Sequence, residues 1–252
     1  MGDAGSDTSS SSGFRDPEPA CPPPPWAAAL VAEARERAGQ SVYPPSDDTF
    51  LLLEVLAEDA ERLLALRPRL CLELGCGSGA VLAGLLEVLQ GRARGPQVAG
   101  SAPAAPAPVL FAVDKNPDAV ACTKALLARR GAARVAAVRA SLSSGLRLDG
   151  LVDVGVCNPP YVPTEPEEMR GCGIEVSWAG GDRGRVVIDR LLPSLAALLS
   201  PGGLFYLVCM AENDPQDIMA VARHHGLSAT IARQERRGIE ELFILRFEQG
   251  HG

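Results

Sequence analysis

Short apolar runs alternate with stretches of helical period along most of this 252-residue chain. Runs near 70–74, 109–113, 134–139, 152–157 and 203–209 are brief and nearly unbroken, the pattern of parallel strands buried on both faces. A last pair near 228–233 and 241–247 makes seven. Helical patterns lie between them near 79–90, 117–130, 184–199 and 214–225. Two more precede the first strand. "WAAALVAEARERAG" starts at Trp26 and is ended by Gly39. "FLLLEVLAEDAERLLAL" has apolar positions at 52, 53, 56, 60, 63 and 64, and Ser46, Asp47 or Asp48 can cap its start. Alternating strand and helix predicts a Rossmann-like, doubly wound α/β sheet with helices on both faces.

Two segments break the rhythm. Residues 1–25 are dominated by Ser, Gly, Asp and Pro and cannot bury enough apolar surface to offset their ordering entropy, so a disordered tail is expected. "GRARGPQVAGSAPAAPAP", 91–108, is too long for a working α/β turn and reads as a flexible insertion in a single domain, 26–249. The tail has no apolar h-region, and no run is long enough for a membrane span. A net charge of −7 argues against holding duplex nucleic acid by its phosphates. The seven cysteines form no C-x-x-C pair, and most sit in apolar runs as small hydrophobes. No metal site is expected, and a reducing compartment is: cytoplasm, with the nucleus as a second address.

Two strand ends carry the candidate chemistry. "LCLELGCGSGAVL" is an apolar run followed by Gly75, Gly77 and Gly79 and then a helix. Glycines there allow a tight turn and close backbone approach of a ligand at the helix N-terminus. The third glycine comes one residue earlier than in the dinucleotide fingerprint. Glu73 precedes the turn, where it would repel a pyrophosphate and favour the cationic amino acid end of S-adenosylmethionine. "VLFAVDKNP" supplies Asp114, placed to accept from two ribose hydroxyls, or simply to cap the helix before Asn116 and Pro117.

The fourth strand runs into Asn158-Pro159-Pro160-Tyr161. Two prolines lack the N–H that a ladder needs, so the strand stops abruptly. Their fixed backbone lets the Asn158 side chain and the Pro159 carbonyl point into a pocket at the carboxyl edge of the sheet. Two acceptors suit the two hydrogens of a planar NH₂ group, and Tyr161 can lie against that plane. Such a nitrogen is a poor nucleophile. Aligning it with a sulfonium methyl and stabilising the charge that develops is what a protein can supply.

With these residues the chain resembles the class I, S-adenosylmethionine-dependent amino-methyltransferases. Within them it is most similar to the eukaryotic HemK-type branch, the glutamine N5-methyltransferases of translation termination factor. "VYPPSDDTFLLLEVL", "CLELGCGSG", "DKNPDAVACT", "NPPYVPTEPEE", "GIEVSWAGGDRGR" and "LLSPGGLFYLV" carry the likeness, from about Val42 to Phe247. The resemblance implies a seven-stranded, mostly parallel sheet of order 3-2-1-4-5-7-6. It implies cofactor contacts from Tyr43, Thr49, Glu73, Gly75, Gly77, Gly79, Asp114 and Asn158, and from Ser141 and Leu142 after the third strand. Asn158, Pro159 and Tyr161 would hold the substrate amide, with the loop around Trp178 shaping that side. One departure stands out: the family's acidic acceptor for the adenine amino group is replaced by Ser141 in "RASL", so weaker cofactor affinity is expected.

The family's members work as heterodimers with a small zinc-binding activator. In the implied order, "RVAAVR" at 134–139 would be an open sheet edge, which a partner strand could cover. Other readings stay open at this point. The same pocket could take a histone lysine, which first needs deprotonating, or adenine N6 in DNA, against the acidic charge. A nicotinamide dehydrogenase is opposed by the glycine spacing and by Asn158-Pro-Pro-Tyr161. A subunit that binds without turnover is opposed by the intact Asn158 and Tyr161, and Ser141 in place of the acidic residue keeps that reading open.

Overall fold

The computed structural model describes residues 19–93, 106–170 and 174–250. The expected tail, over 1–18, and the middle of the insertion, over 94–105, lie outside these residues. Residues 19–25 pack instead against the domain, where Asp47 accepts from Ala20 N at 2.7 Å and Cys21 N at 3.0 Å. The backbone donors that solvent would have satisfied find a carboxylate there.

The main sheet has seven strands: β1 (Leu70–Leu74), β2 (Val109–Asp114), β3 (Val135–Arg139), β4 (Val152–Cys157), β5 (Leu199–Met210), β6 (Leu227–Arg237) and β7 (Glu240–Gln249). They lie in the order β3-β2-β1-β4-β5-β7-β6, with β7 antiparallel to both neighbours and the rest parallel. That is the order the resemblance implies, once a small separate ladder of Val162–Pro163 with Ala179–Gly181 is left out of the count. β1, β4 and β5 are almost wholly buried, as unbroken apolar runs require.

Among the described residues seven α-helices accompany the sheet: α1 (Ala28–Ala38), α2 (Asp47–Glu58), α3 (Ala60–Leu66), α4 (Ala80–Leu89), α5 (Pro117–Arg129), α6 (Val186–Leu198) and α7 (Pro215–His224). α1, α2, α4 and α5 pack together, as do α6 and α7. From β1 the chain winds outward through β2 to β3, then returns to lay β4 on the other side of β1. Right-handed crossovers in opposite directions put helices on opposite faces and open a crevice where the winding reverses, between β1 and β4.

One expected helix is split. The pattern over 50–66 becomes α2 and α3, separated at Asp59. The Asp59 carboxylate accepts from Tyr206 Oη at 2.7 Å and from Arg246 Nη1 at 2.5 Å. Those partners lie on β5 and β7, so no pattern local to the helix could show them.

Candidate functional site

β1 and β4 run side by side in register, Leu74 beside Cys157. The glycine turn and Asn158-Pro-Pro-Tyr161 therefore leave the sheet together, and the Asn158 carbonyl oxygen lies 3.9 Å from where a Gly75 Cβ would stand. Gly79 has φ +81°, and a Cβ on it would sit 2.8 Å from Thr123 Cα. Only glycine fits, so the turn seats directly on α5, and Thr123 Oγ1 donates to Gly77 O at 3.1 Å.

Asp114 ends β2 beside that turn. Its Oδ2 accepts from Gly77 N at 3.0 Å and its Oδ1 from Asn116 N at 2.8 Å. It does not cap α5. Asn116 does, accepting from Asp118 N at 2.9 Å ahead of Pro117.

Glu73 is 2% exposed, and one of its oxygens accepts from Leu82 N at 3.1 Å. Burial raises its pKa well above the ordinary 4.5; the Leu82 hydrogen bond opposes the rise and the Asp114 charge adds to it. A folded-state pKa above the unfolded value means that the folded chain holds the proton more tightly. The stability so contributed is complete below the unfolded pKa and is lost as pH rises through the folded one. Glu73→Gln keeps an acceptor for Leu82 N–H and removes the charge. The ligand-free variant is expected to melt above the wild type, with a gap that widens from about pH 5.5 to about pH 8. Thermal unfolding at the two pH values measures the gap, and a constant or reversed one contradicts the assignment.

After β3, Ala140 N donates to Asp114 O at 2.9 Å, which brings Ser141 and Leu142 alongside. Leu142 holds φ +51°, and the Ser141 hydroxyl meets Arg190 Nη2 at 3.5 Å. Position 141 thus faces a cation from α6 where the family's usual residue is acidic. On the opposite flank Tyr43 packs against Trp178, ring centroids 5.9 Å apart, so the loops before α2 and after Tyr161 meet. Thr49 is buried and donates to Asp48 Oδ1 through its backbone N at 2.5 Å and its Oγ1 at 3.2 Å.

Asp48 is the residue that sequence reasoning missed, having taken it only as a possible cap. The N-cap position of α2 is Ser46, with no side-chain cap. The buried Asp48 carboxylate reaches across to the strand end, where Oδ2 accepts from Asn158 Nδ2 at 2.9 Å and from Tyr161 Oη at 3.1 Å. Burial and the adjacent Asp48 charge push the Tyr161 phenol up, so it stays protonated and donates. Glu240, at the start of β7, is also raised, by burial first and then by Asp48, Glu212 and Asp47. Asn158 Oδ1 is buried with no hydrogen-bond partner in the protein. An unpaired buried acceptor costs free energy that an arriving N–H would recover.

Pro159 is buried. Backbone-to-backbone packing holds the turn from below. A Cβ on Gly180 would lie 2.8 Å from Pro160 O, and one on Gly184 would overlap Tyr161 O. Asn213 Nδ2 donates to Tyr161 O and to Arg183 O, both at 2.8 Å. The glycines of "SWAGGDRG" therefore support the Asn158 turn as well as linking it to α6. Burial raises the thiols of Cys76 and Cys157, beside the two turns, so they remain neutral packing groups.

A carboxylate at the end of β2, a buried acid under a glycine turn and an oriented, unpaired amide oxygen converge at the switch point of the sheet. No sequence-family profile matches the chain. Individual relatives do. It is 41% identical over 222 residues to the mouse protein named methyltransferase HEMK2, covering 87% of this chain and 95% of the mouse one. It is 32% identical over 230 residues to the Schizosaccharomyces pombe eRF1 methyltransferase catalytic subunit mtq2, covering 86% and 93%. Among solved structures, the E. cuniculi Mtq2–Trm112 complex aligns with a TM-score of 0.56 at 23% identity, over 83% of this chain and 99% of that one, a likeness of fold. With two such relatives matched across nearly their whole length, this chain belongs to the eukaryotic HemK-type family of class I, S-adenosylmethionine-dependent methyltransferases.

Proposed function

We propose that the enzyme methylates the side-chain amide nitrogen of a glutamine in a translation termination factor, as the catalytic half of a heterodimer with a small activator protein. The observation that carries this reading is the buried, unpartnered Asn158 Oδ1, presented by a carboxylate behind it. A primary amide offers two N–H donors in one plane. Asn158 Oδ1 takes one, and the Pro159 carbonyl takes the other. The S. pombe relative is named an eRF1 methyltransferase, and the E. cuniculi complex is described as methylating eRF1.

The residues fit S-adenosylmethionine. Asp114 keeps free lone pairs on both oxygens for ribose hydroxyls, and the buried Glu73 carboxyl suits an ammonium, whose approach would favour the charged form that burial opposes. Tyr43, Thr49, Gly75, Gly77, Gly79, Ser141, Leu142 and Asn158 complete the cofactor side. When bound, the cofactor supplies an electrophilic methyl group. The chain's part is to fix the substrate nitrogen against Asn158 and Pro159, to exclude water with Tyr161, and to accept from the N–H bonds as they become more acidic.

The activator's place is suggested by β3. It forms one end of the sheet, and its Val135, Ala136, Ala137 and Val138 are only half-buried. A strand or loop of a small, zinc-binding partner covering that edge would stabilise the neighbouring Ser141–Leu142 turn. The test is to co-express the chain with such a partner and supply labelled S-adenosylmethionine. A termination factor carrying Gly-Gly-Gln, its Gln→Ala variant, histone tails and DNA are offered in turn. Label on the unaltered factor alone is expected; label on histone or DNA instead overturns the substrate assignment. Equal solubility and activity without the partner overturns the heterodimer.

A further inference from the structure

We infer that Asp48 is a positioning residue that sets the polarity of the Asn158 amide, and through it the requirement for an N–H donor on the substrate. The inference rests on the reading that Asn158 Oδ1 accepts from the substrate nitrogen.

An asparagine amide has an accepting end and a donating end of nearly equal size, and rotation by half a turn exchanges them. In this pocket the exchange would be fatal, because an NH₂ group facing a substrate NH₂ group is two donors in opposition. Asp48 removes the choice. A carboxylate only accepts, so the amide end within 2.9 Å of Asp48 Oδ2 has to be Nδ2, which aims Oδ1 at the substrate. The same Oδ2 accepts from Tyr161 Oη, so the two side chains that frame the substrate plane share one anchor.

The surroundings of Asp48 explain why a carboxylate is needed rather than an amide of equal size. Both of its oxygens are committed to donors. Oδ1 accepts from Thr49 N at 2.5 Å and Thr49 Oγ1 at 3.2 Å, while Oδ2 accepts from Asn158 and Tyr161. An amide has one accepting atom and cannot serve both sides. The Thr49 backbone N–H is fixed in the first turn of α2 and cannot rotate away. Asp48→Asn therefore places its oxygen toward Thr49 and its NH₂ toward Asn158, which flips the Asn158 amide and turns a donor toward the substrate.

Exchanging the two side chains is expected to rescue transfer. In the Asp48→Asn/Asn158→Asp double variant, the amide introduced at position 48 donates to the carboxylate introduced at 158. The second carboxylate oxygen then faces the substrate as an acceptor. The four proteins, wild type, the two single variants and the double variant, are compared as complexes with the activator by single-turnover methyl transfer. Cofactor affinity by calorimetry and the thermal midpoint serve as controls of folding. Asp48→Asn is expected to slow transfer about 10- to 100-fold, with cofactor affinity within about threefold of wild type. Asn158→Asp alone sets two buried carboxylates against each other and is also slow. The double variant is expected to recover at least about tenfold over Asp48→Asn, a coupling that independent structural damage does not produce. A second readout needs no turnover: the Asn158 side-chain NH₂ signals in a ¹⁵N spectrum are expected to shift and exchange faster in Asp48→Asn. Losses that simply add in the double variant, or an Asp48→Asn enzyme as fast as wild type, overturn the inference. The cycle is run on whichever substrate the wild type labels. A wrong glutamine assignment thus appears in the wild-type row, and a wrong role for Asp48 appears only in the variants.

Discussion

Asn158→Ala is expected to lower the single-turnover rate of methyl transfer by about 100- to 1,000-fold, the range found when one preorganised polar group facing a developing charge is removed. Affinity for S-adenosylmethionine should fall much less, by about tenfold at most, because Asp114, Glu73 and the glycine turn remain. The reason for the asymmetry lies in what Asn158 touches. Its Nδ2 is spent on Asp48, and its Oδ1 is buried without a protein partner. A buried acceptor that the protein itself leaves unpaired is held ready for an arriving N–H, and a substrate amide that fills it makes a hydrogen bond that no other side chain competes for. Truncation removes the acceptor and leaves the Asp48 carboxylate short of one donor, so both groups on the substrate side are disordered together. Rates measured at saturating cofactor, with calorimetric cofactor titrations beside them, separate the two effects. A loss under tenfold in rate, or equal losses in rate and cofactor affinity, would make Asn158 part of the cofactor cradle alone.

How far the site could be read from sequence depended on how local its causes are. The Gly75–Gly79 turn, Asp114 and Asn158-Pro-Pro-Tyr161 all sit at strand ends, where glycine and proline mark the stop and parallel topology sends each stop to the same edge. Those positions were legible because a few neighbouring residues decide them. Asp48 was not, because its partners lie 110 and 113 residues away and a "PPSDD" stretch before a helix reads equally well as a cap. The only local hint was an acid in excess: Asp47 and Asp48 stand together, and one helix start needs one cap. Asp59 shows the same limit, since its partners Tyr206 and Arg246 lie on the far side of the chain and split a helix that periodicity would run through. The glycines after Trp178 were legible as permissive residues but not as close packing, because backbone contact leaves no trace in the composition of either partner.

Those glycines give the second large effect. Gly184→Ala is expected to lower the thermal midpoint by about 5–15 °C and to cut methyl transfer in the protein that remains folded. Gly184 holds φ +68°, where an L side chain adds about 1–2 kcal/mol. Its Cβ would also overlap the Tyr161 carbonyl and crowd Asn213 Nδ2. Neither can step aside. The carbonyl is backbone next to two prolines, and Asn213 is wholly buried, with Oδ1 accepting from Met210 N and Nδ2 donating to Tyr161 O and Arg183 O, each at 2.8 Å. Overpacking of that kind costs about a further 1–3 kcal/mol, and relief comes only by moving the Tyr161 peptide, which carries the Asn158 turn with it. Gly226→Ala separates the two costs: Gly226 has φ +90°, but a Cβ there meets nothing within 4 Å. That variant should lose only the smaller, conformational share and keep its activity. Equal melting shifts in the two variants, with activity intact in both, would mean that the glycine loop is a plain connection and that the Asn158 turn holds its shape without it.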